Sequence, residues 1–485
     1  MFLGLDLGTS GLRGIVTTED GTVVAEAEAA VPTSTPHPGW SEQNPGHWTV
    51  ACQQVVADLR AADAGAFAAI RGIGISGHMH GATLLDASGR VLRHCIMWND
   101  TRSAAEAAAL DAMAEMRTQT GNIVFPGFTA PKLDWLRTHE PDIYVQVAKV
   151  LLPKDYLRFW LTGSYISDMS DSAGTAWMDV GARGWSDRAL ELSHMTGAQM
   201  PDLVEGSAVG GHLSEELCQT WGLQGPVIVA GGAGDNAAAA CGIGCVNEGQ
   251  GFLSLGTSGV LLLARETYAP APETAVHTFC HAIPNRWVQM GVMLSATNSL
   301  NWLSRNLGQS PADLAQALPD QITSPAKMTF LPYLSGERTP HNNADIRAAL
   351  LGADVASGPQ DMTQAVMEGV AFALRDNLEA LRATGADVEQ LVAVGGGTRS
   401  RFWLETLATV LNVPLALPAG SELGAAIGAA RLAICAVTAR TPDEVMTPPE
   451  IAEVIEPRAD LVEAYELAYN RFRAYYTVLS PMART

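Results

Sequence analysis

Two stretches of the chain carry the same four turn residues directly after an apolar run. The first is "LGLDLGTSG" at residues 3–11, and the second is "LSLGTSG" at residues 253–259. A tight Gly-Thr-Ser-Gly turn points backbone N–H groups and hydroxyls into one small space, and its glycines let a phosphate approach the backbone. Either stretch alone is also compatible with an ordinary hairpin turn, but the duplication favours a polyphosphate held from two sides. The candidate phosphate-binding residues are Thr9, Ser10, Gly256, Thr257 and Ser258.

A single carboxylate, Asp6, lies within the first of these apolar runs. It would project beside the bound phosphates, where a carboxylate is costly unless a divalent cation lies with it. Ser254 holds the equivalent position in the second stretch and carries no charge. Only the first half of the chain is therefore predicted to hold a metal ion, with Asp6 as the ligand.

A second carboxylate follows a glycine-rich turn in "VIVAGGAGDNAAAACGIG", residues 227–244. An apolar strand leads into three glycines, then Asp235 and Asn236, and then an alanine-rich helix. At such a turn Asp235 is well placed to act as a general base, because the glycines leave room for a substrate hydroxyl. The alternative is that Asp235 only caps the helix, and the residues alone do not separate the two interpretations.

A third glycine-rich turn, "VAVGGGTRS" at residues 392–400, joins a predicted strand to a predicted helix. Its glycines, which include Gly396 and Gly397, would allow a flat ligand to lie against the backbone, and the helix N-terminus adds the positive end of a dipole. Such turns are also common without a ligand. The small residues of "ELGAAIGAARLAI", residues 422–434, indicate close helix packing rather than chemistry.

The composition limits the possible functions. With 485 residues the chain is too long for one ordinary core, so at least two domains are expected. Its formal charge of −21 argues against nucleic-acid binding, which requires a basic face. Seven cysteines without a framework spacing fit a reducing compartment, and no apolar run approaches the roughly 18 residues of a membrane span. The cytoplasm is the expected location, and neither nucleic acid nor a membrane is an expected partner.

Strands and helices recur in both halves, which predicts an α/β protein with two domains of similar design and a cleft between them. We place the boundary in the glycine-rich segment 244–250, which gives an N-terminal domain of residues 1–246 and a C-terminal domain of residues 247–485. Asp20-Gly21 predicts a hairpin, and the turn at 87–90 predicts a second pair of joined strands. The predicted helices span residues 46–63, 102–116, 131–138, 295–306, 360–384, 400–411, 424–437 and 460–476.

Together these motifs resemble the FGGY carbohydrate kinase family, whose fold is the duplicated ribonuclease-H-like domain shared with actin and Hsp70. The resemblance runs through nearly the whole chain. The stretches that carry it include "LDLGTSG" (5–11), "PHPGWSEQNP" (36–45), "HMHGATLLD" (78–86), "IMWNDTRS" (96–103), "GFTAPKLDWLRTHEP" (127–141), "LLPKDYLRFWLTG" (151–163), "SDMSDSAGTAWMDV" (167–180), "AGGAGDNAAA" (230–239), "LSLGTSGV" (253–260), "FLPYLSGERTPHNN" (330–343) and "GGGTRS" (395–400).

The resemblance implies ATP-dependent phosphorylation of a ketose, with D-xylulose as the expected sugar and Mg²⁺ as the expected metal ion. Asp235 matches the family's base, which takes the proton from the sugar hydroxyl that attacks the γ-phosphorus. Asp6 matches the aspartate beside the metal ion and the transferring phosphate. Met79 and His80 match residues that line the ketose pocket, and Asn236 follows the base there.

The same resemblance assigns the two Gly-Thr-Ser-Gly turns to the phosphates of ATP and the 395–400 stretch, with Gly396 and Gly397, to adenosine. Some positions depart from the family pattern, which leaves the polarity of the sugar pocket and the details of nucleotide binding open. These are His78, where the family usually has Gln; Arg13, where Lys is frequent; and Glu405 and Thr409, where Gln and Asp are usual.

Several alternatives stay open. The chain could phosphorylate another ketose or polyol, act as an ATPase switch of the actin and Hsp70 kind, or serve as a non-catalytic sugar sensor; the sugar-pocket residues and the two aspartates favour a kinase. The expected partners are a small-molecule sugar and ATP, and a homodimer is left open. "HTFCH" at 277–281, with Cys241 and Cys245 nearby in sequence, is expected to be a buried polar strand rather than a metal site. "GERTPHNN" at 336–343 either crosses the cleft or forms a solvated loop.

Overall fold

The structure is a computed structural model that describes residues 1–420 and 424–484. This described part contains two seven-stranded sheets and several two-stranded pairs. The strands up to residue 234 are β1 (Phe2–Leu7), β2 (Gly11–Thr17), β3 (Val23–Ala30), β4 (Glu42–Gln43), β5 (Gly72–Gly77), β6 (Thr83–Leu85), β7 (Cys95–Ile96), β8 (Lys149–Leu151), β9 (Ile166–Asp168), β10 (Met178–Asp179), β11 (Gly184–Trp185), β12 (Asp202–Val204), β13 (Val209–His212), β14 (Ile228–Ala230) and β15 (Ala233–Gly234). The later strands are β16 (Gln250–Leu255), β17 (Gly259–Arg265), β18 (His277–Cys280), β19 (Trp287–Met293), β20 (Thr329–Leu331), β21 (Ala349–Leu351), β22 (Gln390–Val394), β23 (Leu415–Pro418) and β24 (Ile451–Ile455).

Helices cover both sheets. In the first half they are α1 (Pro45–Ala62), α2 (Ala64–Ala68), α3 (Ala104–Asp111), α4 (Ala114–Thr120), α5 (Thr129–His139), α6 (Pro141–Tyr144), α7 (Pro153–Thr162), α8 (Met169–Ser172), α9 (Asp187–Leu192), α10 (Glu215–Trp221) and α11 (Asp235–Ile243). In the second half they are α12 (Thr297–Leu307), α13 (Pro311–Gln316), α14 (Pro359–Arg382), α15 (Arg401–Leu411), α16 (Ala425–Thr438), α17 (Pro442–Val445) and α18 (Val462–Leu479).

The first large sheet has the order β13-β14-β5-β1-β2-β3, with β15 beside β5. Its centre is β1, which pairs antiparallel with β2 and parallel with β5. Strand side chains alternate between faces, so Leu3, Leu5 and Leu7 share one face and are fully buried in the core. Asp6 lies on the opposite face, paired in register with Ser76 of β5.

The second large sheet, β18-β19-β17-β16-β22-β23-β24, repeats this central arrangement. Its strand β16 pairs antiparallel with β17 and parallel with β22, as β1 does with β2 and β5. Ser254 pairs with Val394 of β22, so it occupies the position that Asp6 has in the first sheet. The repetition of this three-strand unit confirms the predicted duplicated α/β architecture.

Helix α16 packs on the first sheet although it comes late in the chain. It lies against β1, β5 and α11. A Cβ atom at Gly4 or at Gly74 would overlap a carbonyl oxygen of α16, and one at Gly428 would overlap a carbonyl oxygen of α11. The prediction of close packing for 422–434 is confirmed over the residues from 424 onward, and residues 422–423 lie outside the described ones.

Two local predictions differ from the structure. The predicted helix 102–116 is broken into α3 and α4. Asp111, the last residue of α3, accepts hydrogen bonds from Val124 N (3.0 Å) and Arg117 Nε (2.9 Å). The chain turns at this point, and Met116 of α4 is buried in the core. The turn at 87–90 is present, but the chain after it does not form the second strand of a hairpin: Val91 makes only an isolated bridge to Leu85. Strand β7 pairs instead with β4. The hairpin at Asp20-Gly21 joins β2 and β3 as predicted.

The strands of the two large sheets come from residues 2–234 and 250–455, on either side of the segment in which we place the domain boundary. The division at 246/247 itself stays a prediction. Helix α16 comes after this position in the sequence but packs on the sheet of the first half. Among the residues that the structure describes, none of the helices combines the length and the apolar character that a membrane crossing requires.

Candidate active site

Asp235 is the first residue of α11. The chain reaches it from β14 through the turn Gly231-Gly232 and then through β15, which lies beside the end of β5. The helix is capped by Gly234, so Asp235 does not cap it. Within residues 1–420 and 424–484, the carboxylate is hydrogen-bonded by Asn236 alone, through the backbone N–H (2.7 Å) and the side-chain Nδ2 (2.9 Å), and both bonds go to Oδ1. The other carboxylate oxygen is therefore free to accept a proton.

The surroundings of Asp235 suit a general base. Burial, and secondarily the charge of Asp6, raises the pKa of Asp235 to about 6, although the hydrogen bonds from Asn236 oppose this shift. A base is most effective when its pKa lies near the working pH. At neutral pH Asp235 is mostly ionised, and its raised pKa makes it a better proton acceptor than an exposed aspartate.

Asp6 projects from β1 toward the same place. Ser76 Oγ donates a 2.6 Å hydrogen bond to Asp6 Oδ1, which orients the carboxylate. Burial raises the pKa of Asp6, while this hydrogen bond and the more distant Arg13 lower it by less. In the described chain no Lys or Arg forms an ion pair with either aspartate. Two carboxylates near each other without a protein cation form a hard-oxygen, negatively charged site, which fits the preference of Mg²⁺.

The predicted sugar-pocket residues follow β5 directly. Met79 is buried and packs against the turn that leads to Asp235: a Cβ atom at Gly234 would lie 2.9 Å from Met79 Cγ. His80 has a left-handed backbone (φ 70°), its ring stacks on Phe128 with centroids 4.8 Å apart, and its Nδ1 is 2.7 Å from the carbonyl oxygen of Gly174. The structure therefore places Met79 against the residue that precedes Asp235, and Met79 and His80 both pack against Gly174.

The protonation of His80 follows from these contacts. Burial, followed by the charge of Lys132, lowers the pKa of His80 to about 3, so the imidazole is neutral. A carbonyl oxygen only accepts, so the proton is on Nδ1, which donates to Gly174. Nε2 then carries a lone pair, and it has no hydrogen-bond partner among the described residues. Such a nitrogen can accept a hydrogen bond from a sugar hydroxyl.

The first phosphate turn is braced by its neighbours. The indole Nε1 of Trp98 donates to Thr9 Oγ1 (3.0 Å), and Gln43 Nε2 donates to the Thr9 carbonyl (2.6 Å). Ser10 is exposed. Trp98, which is 45% exposed, was not singled out by sequence reasoning, although it lies in the quoted stretch "IMWNDTRS".

The second Gly-Thr-Ser-Gly turn, a predicted phosphate site, lies near the residues that are predicted to bind adenosine. Thr297 donates to the carbonyl of Gly256 through its N–H (2.9 Å) and its Oγ1 (2.8 Å), while Thr257 and Ser258 remain exposed. Thr297 also lines a cavity of about 740 Å³ between α12, α13 and α15. Gly396 and Gly397 line the same cavity, and Gly395 and Gly397 pack against Leu255, the residue before the second turn. No hydrogen bond within the described residues joins this second turn to the first.

The positions that depart from the family pattern lie outside these contacts. His78 is buried beside Trp48, with ring centroids 6.0 Å apart, and neither ring nitrogen has a hydrogen-bond partner in the part of the chain that the structure describes. Burial lowers the pKa of His78 to about 3, so it is a neutral core residue. On α15, Glu405 accepts from Ile322 N (3.2 Å) and Thr409 accepts from Arg458 N (3.1 Å). Neither lines the cavity, and Arg13 pairs with Glu26 at the surface.

The segment 336–343, whose interpretation was left open, is largely buried, and so is the predicted polar strand 277–281. In 336–343, Glu337 and Thr339 are 3% and 1% exposed, and Arg338 reaches Phe125 of the first half (4.7 Å from guanidinium to ring centroid) and His277 Nε2 (3.3 Å). The segment crosses between the halves, and the solvated-loop interpretation is wrong. In 277–281 both histidines are buried, as expected of a polar core strand.

Comparisons with known proteins agree along the whole chain. The profile of the "FGGY family of carbohydrate kinases, N-terminal domain" matches residues 1–242, and that of the C-terminal domain matches residues 251–437. The chain is 44% identical to the xylulose kinase of Escherichia coli strain K12 over 485 residues, covering 99% of this chain and 100% of the relative. It is 47% identical to the xylulose kinase of Klebsiella pneumoniae over 441 residues, 90% of each chain. A solved structure described as a "xyloylose kinase from Brucella ovis" is 55% identical, covers 99% of both chains and superposes with a TM-score of 0.98.

Proposed function

The chain belongs to the FGGY family of carbohydrate kinases, and we propose that it transfers the γ-phosphate of ATP to D-xylulose, forming D-xylulose 5-phosphate. The sugar is proposed because relatives named xylulose kinase match the chain over nearly its full length. The single observation that carries the reaction type is Asp235, a carboxylate with one free oxygen and a pKa of about 6, beside Asp6.

Asp235 acts as the general base. It takes the proton of the terminal primary hydroxyl as the hydroxyl oxygen attacks the γ-phosphorus. A bond forms between the sugar oxygen and phosphorus, the bond from phosphorus to the β–γ bridging oxygen breaks, and ADP leaves. Phosphoryl transfer requires positioning and charge neutralisation more than covalent help from the protein, and Asn236 orients the base through its two hydrogen bonds.

Asp6 would hold Mg²⁺, with Ser76 fixing the orientation of its carboxylate. When bound, the ion neutralises charge on the β- and γ-phosphates. Ser254, at the equivalent position of the second domain, has no charge, so only the first domain provides a carboxylate for the metal ion at this position.

The remaining residues divide between sugar and nucleotide. Met79 and His80 line the sugar pocket, with His80 Nε2 accepting from a sugar hydroxyl. The adenosine enters the cavity lined by Gly396 and Gly397, whose volume of about 740 Å³ lies within the range of small-molecule sites. Thr9 and Ser10 from one domain and Gly256, Thr257 and Ser258 from the other hold the phosphates.

A homodimer and a cytoplasmic location stay predictions. All seven cysteines are free, which is compatible with a reducing compartment.

The test is a panel assay with the purified chain, ATP and Mg²⁺. D-xylulose is compared with other pentuloses, hexuloses and polyols, and the product is identified by ³¹P NMR. We expect the highest kcat/KM with D-xylulose and phosphate on O5. Preference for another acceptor would instead support a kinase for a different sugar, and hydrolysis of ATP without transfer to any acceptor would support an ATPase switch.

A further inference from the structure

A group of buried charges lies underneath the catalytic turn. We call Lys154, Asp155, Arg158, Asp168 and Asp171 the Lys154 cluster; all five side chains are fully buried. The Lys154 ammonium contacts the carboxylates of Asp155 (2.5 Å), Asp168 (2.7 Å) and Asp171 (3.3 Å). Arg158 adds a second cation, 3.3 Å from Asp155. None of these residues has a role in the proposed reaction.

The three carboxylates are close enough to hold a metal ion, but the Lys154 ammonium already contacts all of them. Three acids face two cations, and burial raises the pKa of Asp171 well above its ordinary value. A protonated Asp171 leaves the cluster neutral overall. The Lys154 ammonium therefore takes the place that a metal ion would have among these carboxylates.

Buried ion pairs contribute little net stability, because the cost of removing charges from water offsets their attraction. The cluster does, however, contact the turn that leads to Asp235 directly at one point, and at a second point through Ser170, which is bound to Asp168. The guanidinium of Arg158 donates to the carbonyl of Gly231. The hydroxyl of Ser170 accepts from Gly234 N (3.2 Å) and donates to Asp168 (2.5 Å).

The turn is held by contacts of its backbone rather than by side chains: Gly231 N–H donates to the Ala208 carbonyl (2.8 Å), and Gly232 N–H donates to the Gly206 carbonyl (3.0 Å). Gly231, Gly232 and Gly234 carry no side chains, and Gly232 has a left-handed backbone (φ 73°). A Cβ atom at Gly231 would overlap the carbonyl oxygen of Glu205, so the turn cannot accept larger residues that would anchor it by packing. Glycine-rich backbone is conformationally free unless outside contacts restrain it. Ser170 provides such a contact at the residue directly before the base.

We propose that Ser170 is a positioning residue for Asp235, and that Asp168 and Lys154 hold Ser170 in place. Asp168 accepts from both the hydroxyl and the N–H of Ser170 (2.5 and 2.7 Å), and Lys154 holds Asp168. The chain of contacts runs from the buried ammonium to the backbone of the catalytic turn. This inference rests on the proposed role of Asp235 as the base.

Ser170→Ala tests the proposal, with Ser167→Ala as a matched control. Ser167 is also buried and also donates to a carboxylate of the cluster, Asp155 (2.6 Å), but it does not contact the turn. Misplacing a reacting group by about 1 Å can cost roughly 10²-fold. We therefore expect Ser170→Ala to lower kcat for D-xylulose by about 10- to 100-fold. The KM for ATP should not change, and Ser167→Ala should keep the wild-type kcat at a similar thermal midpoint.

A double variant separates positioning from structural damage. If Ser170 acts through Asp235, then adding Ser170→Ala to Asp235→Asn should cause no further loss of the residual turnover. Ser170→Cys, which keeps the size but is a weak acceptor, should fold and show an intermediate kcat. Equal kcat losses in Ser170→Ala and Ser167→Ala, or a full further loss in the Asp235→Asn background, would overturn the proposal. A wild-type protein that does not phosphorylate D-xylulose would instead refute the proposed function.

Discussion

At the residue scale, the candidate site rests on two partly buried carboxylates with different partners. Asp235 accepts only from Asn236 among the described residues and keeps one oxygen free. Asp6 is oriented by Ser76 and faces the place where the phosphates would lie. Different surroundings give neighbouring carboxylates different roles, which is why we propose Asp235 as the proton acceptor and Asp6 as the metal ligand.

The pH dependence of catalysis should report Asp235. Because its pKa is raised to about 6, the base becomes protonated and inactive below that pH and is ionised above it. We expect kcat/KM to rise with pH along an acid limb centred near pH 6 and to level off above it. The measurement is the pH profile of kcat/KM for D-xylulose. A limb centred near pH 4, the ordinary value of an exposed aspartate, would contradict this environment of the base.

Asp6→Asn tests the metal ligand. The amide keeps the shape of the side chain but removes its charge, so we expect kcat to fall at least about tenfold and the Mg²⁺ concentration for half-maximal rate to rise. Asp58→Asn is the matched control, because Asp58 is an exposed aspartate on α1 that, among the residues the structure describes, hydrogen-bonds only with Gln54. If Asp6→Asn showed the same Mg²⁺ dependence as the control variant, Asp6 would not be a ligand of the metal ion.

At the element scale, glycine allows α16 to lie directly on the first sheet. The Gly4 position of β1 and the Gly74 position of β5 face the backbone carbonyls of this helix, where no side chain fits. The sheet carries Asp6 on β1, and α11, which begins with Asp235, also packs against α16. Close packing of α16 therefore helps to fix both elements that carry the two carboxylates.

Gly74→Ala should separate these elements. The added methyl group would overlap the carbonyl oxygen of Ala429, and relief requires movement of backbone rather than of a flexible side chain. We expect the free energy of unfolding to fall by about 1–3 kcal/mol or more. Gly184→Ala is the control, because a Cβ atom there meets nothing within 4 Å, and it should change stability by less than about 0.5 kcal/mol. Equal denaturation midpoints for the two variants would contradict the packing argument.

Local signals predicted most helices and the turns at 8–11, 231–234 and 256–259, since each depends on residues adjacent in sequence; the roles of these turns in binding and catalysis stay predictions. The break between α3 and α4 was missed because it depends on Asp111 meeting Val124, a contact between segments. Two further contacts were missed for the same reason, because they join residues that are distant in sequence. These are the packing of α16 on the first sheet and the hydrogen bond between Ser170 and Gly234. The contact of Arg338 with Phe125 could not be predicted, because a polar sequence is equally compatible with a solvated loop and with an interface between the two halves.

At the scale of the whole molecule, the two halves are already joined on one side. The Asn122 amide bonds both the N–H and the carbonyl of Thr278 on β18 (2.9 Å each). Arg183 pairs with Glu205 (2.6 Å) and also donates to the carbonyl of Arg286 (2.7 Å). The two phosphate turns, in contrast, have no hydrogen bond between them in the described chain. We therefore expect the cleft to close when both turns hold one ATP.

Closure should be visible in solution. It also excludes water that would compete with the sugar as phosphate acceptor. We expect small-angle scattering to give a smaller radius of gyration with D-xylulose and a non-hydrolysable ATP analogue together than with either alone. An unchanged radius with both ligands would show that the turns do not need to approach each other.

The central claim is that Asp235 is the base for phosphoryl transfer to D-xylulose, and the turnover of Asp235→Asn tests it most directly. Asparagine keeps the size of the side chain and removes the proton acceptor. The measurement is kcat at neutral pH with saturating ATP, Mg²⁺ and D-xylulose, together with calorimetric binding of the sugar. We predict that kcat falls by about 10²- to 10⁴-fold while sugar affinity is retained. Turnover at the wild-type rate would contradict the account.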